Sequence, residues 1–358
     1  MKLLVAATII IIAFGSALTL YFLFNTTPTN AVTAMSGNQI ALRSASFLDG
    51  IKTFDNHYYF SVYCSQNSTY NDCVLYDYYL NQTNAWALYS YTNLYSSTGD
   101  SSYLGKAQNE MKVISNDCSA NLDSCLWILV QMINYERVTG DNQYSNLISV
   151  LGSRLLSTSE NSSTMLLGIE SRELALLYEM NGQKQYLDES LARLQMSKNL
   201  WSNTGSDQTQ ALLYVDNGLQ FYGYSCWSEL AEIELYKATH DNSYLQNAAN
   251  FFNSANIDKH SRKIEFLVAL EPCIDSLQQL SSSTGNQLYM NEALNASQYI
   301  VTYRWDPNIQ TAKKFNGDSG FLSDVYVEQG WKLTNDASYM IYLLTQMKDS
   351  QFQILGWN

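Results

Sequence analysis

Two kinds of segment alternate along the chain, and both have the hydrophobic pattern of a helix. One kind is apolar on nearly all sides, as in residues 126–133, LWILVQMI. The other has a single apolar stripe, as in residues 186–200, where leucines recur at helical spacing. A helix that is apolar all round is enclosed by other helices, whereas an amphipathic helix lies outside. The alternation therefore predicts an inner and an outer layer of helices.

A short signature, Thr-Gly-Asp-x-x-Tyr-Leu in its fullest form, follows each enclosed segment. Glycine takes the left-handed conformation that ends one helix, and the Asp or Asn after it caps the next. Copy three has Gln183 in the capping position and copy four has His240 in the glycine position, so these two turns are expected to be less regular. Six helix-to-helix turns are predicted, and their tyrosines, separated by 41, 42, 58, 45 and 50 residues, are Tyr103, Tyr144, Tyr186, Tyr244, Tyr289 and Tyr339.

The segments that lead from an outer helix to the next inner one vary in length, unlike the turns. They cover residues 57–76, 117–123, 158–164, 201–224, 257–264 and 304–320. The short turns are thus expected on one face and the variable loops on the other, where function usually resides. A further amphipathic helix at residues 39–54 is expected to close a ring against the last hairpin. An open superhelix of tetratricopeptide repeats has a period of about 34 residues, which does not suit this spacing.

The N-terminal segment predicts a membrane anchor. Residues 3–24 form 22 positions without a charge, which is enough for a spanning helix and longer than the usual signal-peptide core of about 7 to 15 residues. We expect an anchor at residues 1–24, a stalk at 25–37 and one helical domain at 38–358. Lys2 would stay inside, and the rest of this single-pass chain would be extracytoplasmic. The alternative is a signal peptide cut near residues 32–34, which would give a secreted protein.

Cysteines and glycosylation acceptors also indicate export. The six cysteines are an even number, although six allow fifteen pairings and spacing alone does not fix them. Short separations favour two loop-closing pairs and leave a third: Cys64 with Cys73, Cys118 with Cys125, and Cys226 with Cys273. The alternative is six buried thiols in a reducing compartment. Candidate acceptors in Asn-x-Ser/Thr tripeptides are Asn67, Asn81, Asn161 and Asn295, with another at Asn25 in the stalk.

Composition narrows the class of ligand. The chain has 33 acidic and 20 basic residues and a formal net charge of −13. Binding to nucleic acid needs clustered Lys and Arg, so it is set aside. No zinc-ligand spacing, no glycine-rich phosphate loop and no Gly-x-Ser-x-Gly elbow is present in the sequence. Neither a metal nor a cofactor is therefore expected.

The repeated turns, followed by small residues such as Ala107, Ala248 and Ala293, resemble those of the (α/α)6 toroid of the six-hairpin glycosidase superfamily. Residues 226–236, CWSELAEIELY, and 320–326, GFLSDVY, look like inner helices of that group. The resemblance covers about residues 40–350 and implies an all-α ring. It further implies a carbohydrate-active protein. Within that class we expect a hydrolase rather than a lyase, acting through two carboxylates. No subfamily's catalytic signature is matched.

Acids near the starts of inner helices or in the long loops are the candidates for such chemistry. Asp216 and Asp77 rank first, because their aromatic neighbours would stack on sugar rings and raise a carboxyl pKa by desolvation. The structural alternative for each is an ordinary turn or a helix N-terminal acid. The full set of candidate acids is Asp77, Glu170, Asp216, Asp318 and Asp324.

Aromatic and basic residues of the loop face are candidates for binding a sugar. Flat amphipathic rings suit carbohydrate, and the basic cluster at 259–263 suits the carboxylate of a uronic acid or a sulfate. Their alternatives are core packing and a solvated loop. The candidates are Tyr76, Tyr214, Tyr224, Trp227, Trp305, His260 and Arg262. The sequence thus predicts a membrane-anchored carbohydrate-active toroid; the alternatives are a non-catalytic toroid that binds glycan or protein, or the exposed domain of a membrane complex.

Overall fold

Twelve α-helices make up most of the part of the chain that the computed structural model describes. That part is residues 33–52, 56–58, 61–63, 74–76, 80–158, 163–202, 222–255, 257, 267–306, 320–321 and 331–354. The helices are α1 Gly37–Gly50, α2 Leu80–Thr98, α3 Ser101–Ala120, α4 Leu129–Thr139, α5 Ser145–Leu156, α6 Thr164–Asn181, α7 Lys184–Ser202, α8 Tyr222–Thr239, α9 Asn242–Ala255, α10 Leu267–Thr284, α11 Gln287–Arg304 and α12 Thr334–Gln346.

The even-numbered helices form a closed inner ring. Each contacts the next in the order α2, α4, α6, α8, α10 and α12, and α12 contacts α2 again. The odd-numbered helices form the outer layer, in which α3, α5, α7, α9 and α11 each contact the inner helix before them. Six helical pairs therefore surround one axis, as the alternation of enclosed and amphipathic segments predicts.

Five short turns join an inner helix to the outer helix after it. The residue that ends the inner helix has a left-handed backbone, with φ of 59° to 72°, at Gly99, Gly140, Gly182, His240 and Gly285. The expected irregularity at His240 is wrong, because this residue adopts the same conformation as the glycines and Asp241 still accepts a hydrogen bond from Ser243 N at 2.9 Å. In the third turn Asn181 Oδ1 accepts instead from Gln183 N at 2.9 Å.

The threonine of the signature has a defined role in these turns. Thr98 Oγ1 donates to Leu94 O at 2.6 Å and accepts from Asp100 N at 3.2 Å. Asp100 Oδ1 then accepts from Ser102 N at 2.8 Å in the first turn of α3. These local bonds satisfy backbone groups that a helix end leaves unpaired. The turn signature is therefore a self-contained hydrogen-bonding unit.

The sixth copy of the signature is not a turn, and this corrects the sequence analysis. Thr334 is the first residue of α12, and Tyr339 lies within the same helix. Since Ala337, Met340 and Ile341 are fully buried, α12 is itself the sixth inner helix. Its outer partner is α1, which contacts it. The expectation that a helix before the first hairpin closes the ring is confirmed.

Short strands join the remaining segments. They are β1 Thr33–Ser36, β2 Ser61–Tyr63, β3 Val74–Tyr76, β4 Trp305–Asp306, β5 Gly320–Phe321, β6 Trp331–Leu333 and β7 Gln351–Ile354. β1 pairs antiparallel with β7, with Thr33 opposite Ile354, so residues assigned to the stalk take part in closing the ring. β2 lies between β3 and β6.

The sequence analysis assigned two segments to inner helices, residues 320–326 and 226–236. Residues 320–321 instead form strand β5, which pairs antiparallel with β4, and residues 322–330 lie outside the described residues. Residues 226–236 are helical within α8, as expected. In the described part of the chain, no helix has both the length and the apolar character needed to span a membrane. The expected anchor at residues 1–24 falls outside the described residues.

Candidate binding site

A cavity of about 130 Å³ lies on the axis of the inner ring. All six inner helices contribute to it, and their lining residues fall in the first half of each helix, toward the loop face. The residues that line it are Gln82, Trp86, Tyr89, Trp127, Val130, Gln131, Met165, Leu166, Ile169, Arg172, Trp227, Glu271 and Tyr339.

One wall of the cavity is made of three aromatic rings. The centroids of Trp86 and Tyr339 are 4.5 Å apart, and those of Trp227 and Tyr339 are 5.9 Å apart. Gly168 allows this arrangement, because a Cβ there would lie 2.8 Å from the Cβ of Trp227. Close approach of α6 to α8 therefore positions Trp227.

Another residue that lines the cavity has a strained backbone. Trp127, which precedes α4, has φ 72°, a conformation that is unusual for a bulky side chain. Its Nε1 donates to Glu170 Oε1 at 2.9 Å, and Glu170 is ion-paired with the buried Arg193. Backbone strain of this kind persists only where the surroundings hold it in place. Glu170, a sequence candidate for catalysis, thus holds Trp127 and is not among the residues that line the cavity.

A buried acid of α6, Glu173, accepts a hydrogen bond from the start of α4. Glu173 Oε1 accepts from Leu129 N at 2.9 Å, at the first residue of α4. Burial raises the pKa of the Glu173 carboxyl to about 8, against the lowering effect of these backbone bonds. The acid is therefore protonated over much of the physiological pH range, next to the cavity residues Val130 and Gln131.

Arg172 connects the cavity to a network of charges beneath it. Its Nη1 lies 3.5 Å from Asp275 Oδ2 and its Nη2 lies 3.6 Å from Glu234 Oε1. Asp275 also accepts from Tyr339 Oη at 2.8 Å and from Tyr342 Oη at 3.0 Å. Burial acts to lower the pKa of Arg172, but the two carboxylates outweigh it and raise that pKa well above its usual value.

Three buried polar atoms at the cavity lack a hydrogen-bond partner among the described residues. They are Trp227 Nε1, Gln131 Oε1 and Arg172 Nε, each in a side chain less than 5% exposed. Leaving such an atom unpaired costs about 1–3 kcal/mol. All three atoms belong to residues that line the cavity, so they are candidate hydrogen-bonding groups for a ligand bound there.

Two disulfides are formed as the sequence suggested. Cys118 and Cys125 link the end of α3 to the segment after it, and Cys226 joins Cys273 across α8 and α10. The second bridge lies beside Trp227 and two residues from Glu271, so it fixes the two helices that carry them. Cys64 and Cys73 lie outside the described residues.

Only some of the other site residues predicted from the sequence fall in the part of the chain that the structure describes. Trp305 is fully buried and its Nε1 donates to Ser44 Oγ at 3.1 Å, away from the cavity. Tyr76 ends β3, and Tyr224 lies in the first turn of α8. Of the candidates, Asp77, Asp216, Asp318, Asp324, Tyr214, His260 and Arg262 lie outside the described residues and remain predictions.

The glycosylation acceptors also remain predictions. Asn81 is part-buried, and its amide donates to Ser124 Oγ at 2.7 Å, whereas Asn295 is exposed on α11. Asn67 and Asn161 fall outside the described residues. Within the part of the chain that the structure describes, no group of three or more His, Cys, Asp or Glu side chains is arranged to hold a metal ion.

Sequence reasoning identified Trp227 but missed Glu271, Gln131 and Arg172. Each is a buried polar side chain of an inner helix. Glu271 and Asp275, four residues apart among the apolar positions of α10, carried the clearest such signal. A polar side chain in an enclosed helix must find a polar partner or a cavity.

Comparison with solved structures identifies the architecture. The chain is similar to a family 76 α-mannanase from Bacteroides thetaiotaomicron, with 14% identity, a TM-score of 0.63, and 88% and 96% of the two chains covered. It is also similar to an unsaturated glucuronyl hydrolase specific for heparin, with 12% identity, a TM-score of 0.59, and 87% and 96% covered. The chain has the six-hairpin glycosidase fold.

A third six-hairpin structure was determined with a ligand. It is an inactive variant of the α-1,6-mannanase of Salegentibacter sp. HEL1_6 in complex with α-1,6-mannotriose, with 13% identity, a TM-score of 0.61, and 87% and 99% of the two chains covered. No protein-family model matches the sequence, and the search of curated proteins found no relative. At these identities the likeness is one of fold, so the chemistry of this toroid must be argued from its own residues.

Proposed function

We propose that this chain is a carbohydrate-active toroid that binds a glycan in its axial cavity. The observation that carries the proposal is the cavity itself, where an aromatic wall of Trp86, Trp227 and Tyr339 stands beside three unpaired polar atoms. Sugar rings combine an apolar face with polar edges, so aromatic faces and hydrogen-bonding groups together suit them. Similarity in fold to glycoside hydrolases supports the same ligand class.

We propose more specifically that the toroid hydrolyses a glycosidic bond. It needs an acid to protonate the leaving oxygen and a second carboxylate roughly 5–9.5 Å away to act as nucleophile or base. Glu271 lines the cavity and is the acid we assign. The second acid would come from the loop candidates Asp77, Asp216, Asp318 or Asp324.

Hydrolysis is tested with the full chain in detergent and α-1,6-mannotriose or heparin-derived unsaturated disaccharide, with product formation as the readout. Since general acid catalysis contributes about 10²- to 10⁴-fold, Glu271→Gln should lower kcat by that factor. The matched control is Asp188→Asn, an exposed acid of outer helix α7. Full activity of Glu271→Gln would overturn the assignment of the acid. Full activity of both Asp216→Asn and Asp77→Asn would remove those two from the candidates.

A non-catalytic glycan-binding toroid is the second candidate function. The inactive Salegentibacter variant carries replacements at two adjacent aspartates, and this chain contains no two adjacent aspartates. The cavity wall is also packed ring against ring. Saturable binding of an oligosaccharide without release of product, in the assay just described, would favour this candidate over hydrolysis.

We further propose that the toroid is extracytoplasmic and anchored by residues 1–24. The uncharged stretch at 3–24 and the two disulfides, which form in oxidising compartments, support this. The chain should stay with membranes in a carbonate wash and should be degraded by protease added to intact cells. Recovery in the soluble fraction, with the leader removed, would favour secretion instead. Co-purification with other membrane subunits would favour a role in a complex.

A further inference from the structure

We propose that the cavity takes a single uncharged sugar unit, and that Gln131, Arg172 and Trp227 select it by hydrogen bonding. This inference rests on the proposed function, because it concerns the ligand of the same cavity. It differs from the uronic acid or sulfate ligand expected for the basic cluster at 259–263.

The unpaired atoms define what a ligand must offer. Trp227 Nε1 and Arg172 Nε are donors, whereas Gln131 Oε1 is an acceptor. A hydroxyl group both donates and accepts, but a carboxylate only accepts. Sugar hydroxyls can therefore pair with both donors and with the acceptor, whereas a carboxylate placed against Gln131 would leave Oε1 unpaired.

The charges around Arg172 also disfavour an anion. Its guanidinium already lies between two carboxylates, 3.5 Å from Asp275 and 3.6 Å from Glu234. Lys237 also lies 3.3 Å from Glu234, so the two acids are balanced in formal charge by Arg172 and Lys237. Arg172 therefore has no uncompensated positive charge with which to attract a carboxylate. Arg172 thus acts as a hydrogen-bond donor to the ligand and not as an anion site.

The size and the floor of the cavity limit how much of a glycan can enter. Its volume of about 130 Å³ is well below the roughly 300–1,000 Å³ of pockets that enclose a drug-sized ligand. Beneath it the rings of Tyr89 and Tyr342 lie 4.6 Å apart over the buried Asp275. The axis is therefore filled on that side, and one sugar unit enters from the loop face.

The test uses pairs of sugars, and the two members of a pair differ only at C6. The neutral members are methyl α-D-mannopyranoside, methyl α-D-glucopyranoside and methyl β-D-galactopyranoside, and each is compared with the same glycoside carrying a carboxylate at C6. Binding to the full chain in detergent is measured by calorimetry. We expect at least one neutral glycoside to bind, and to bind at least tenfold more tightly than its carboxylate.

Two variants assign the selection to the proposed residues. Gln131→Leu should weaken binding of the neutral glycoside at least tenfold while leaving Tm unchanged or higher, because it removes an unpaired buried acceptor. Trp227→Phe keeps a ring without the N–H and should also weaken binding. The matched control is Thr92→Val, since Thr92 Oγ1 is also buried and unpaired among the described residues but does not line the cavity. It should leave affinity unchanged.

The outcomes separate this inference from the proposed function. Tighter binding of a carboxylate, or unchanged affinity in both Gln131→Leu and Trp227→Phe, would overturn the inference alone. Binding of α-1,6-mannotriose with no binding of any single-unit glycoside would overturn the single-unit assignment. Failure of every carbohydrate to bind would overturn the proposed function as well.

Discussion

Two levels of the same inner helices treat their buried polar groups in opposite ways. At the cavity level, Trp227 Nε1 and Gln131 Oε1 have no partner among the described residues. One helical turn further on, at the network level, Asp275 accepts from two tyrosines and faces Arg172. Both levels are buried, so burial does not explain the difference. Of the unpaired atoms, those of residues that line the cavity are the ones that a ligand bound there can satisfy.

The backbone repeats this contrast. At the cavity level Trp127 holds a left-handed conformation that is costly for a bulky residue. The short turns at the other end of the helices use glycine at four of five such positions. A strained bulky residue and unpaired atoms thus occur together near the cavity, although Thr92 Oγ1 and Gln278 Oε1 are buried and unpaired elsewhere among the described residues.

Removing the central acid of the network should have the largest effect on stability. Asp275→Ala leaves Arg172 partly uncompensated and two tyrosine hydroxyls without their acceptor. Breaking a buried ion pair from one side costs about 3–5 kcal/mol, which urea unfolding will measure. Asp123→Ala, which breaks an exposed pair with Arg154, is the control and should change stability little. A small loss in Asp275→Ala would mean that the network level is not the better satisfied of the two.

Buried acids at the two levels should respond to pH with opposite signs. The pKa of Glu173 is raised to about 8 by burial, so between about pH 4.5 and 8 the folded state binds more protons than the unfolded state. Its contribution is therefore full below the unfolded pKa and is lost as pH rises through 8, at up to about 1.4 kcal/mol per pH unit. Unfolding by urea at pH 6 and pH 8 should show wild type losing more stability than Glu173→Gln.

Glu234 provides the comparison for that experiment. Although burial acts to raise its pKa, Lys237 and Arg172 lower it below the usual value. Its contribution should be present above the unfolded pKa and lost as pH falls through the folded pKa. Parallel pH profiles of wild type, Glu173→Gln and Glu234→Gln would contradict the distinction between the two levels.

Close packing of α6 on α8 should show a smaller but specific effect. Gly168→Ala places a Cβ 2.8 Å from backbone and side-chain atoms of Trp227. Overpacking of this kind costs about 1–3 kcal/mol, and it should also shift the fluorescence of a displaced tryptophan. Gly105→Ala is the control, because a Cβ at that helical position meets nothing within 4 Å. It should stabilise the protein by up to about 1 kcal/mol, and the same sign for both variants would refute the close contact.

The ring was predictable from sequence because local features decide it. An enclosed helix is apolar all round, and a Thr-Gly-Asp turn satisfies its own hydrogen bonds, so both can be recognised without knowing the rest of the fold. The sixth signature wrongly predicted a turn between two helices. Burial of Ala337, Met340 and Ile341 instead makes this segment part of the inner helix α12. Packing decides the layer, and the signature does not.

The site was much less predictable, because ring closure alone brings its residues together. Gln131, Arg172 and Glu271 lie on three different helices and share no spacing or motif. Ranking Asp216 and Asp77 by their aromatic neighbours used proximity in sequence, which says little about an axis shared by six helices. Polar residues at enclosed positions of the inner helices were a sequence signal that could have found them.

The smallest expected effect concerns the one non-glycine residue among the five left-handed turn positions, His240 with φ 59°. This conformation costs a side chain roughly 1–2 kcal/mol, but glycine loses about 0.5–1 kcal/mol more conformational entropy on folding. His240→Gly should therefore raise the free energy of unfolding by under about 1 kcal/mol. The reverse change at an equivalent turn, Gly182→Ala, should lower it. Since both positions lie at the turn face, neither variant should change glycan affinity, and a change in affinity would connect the turns to the cavity.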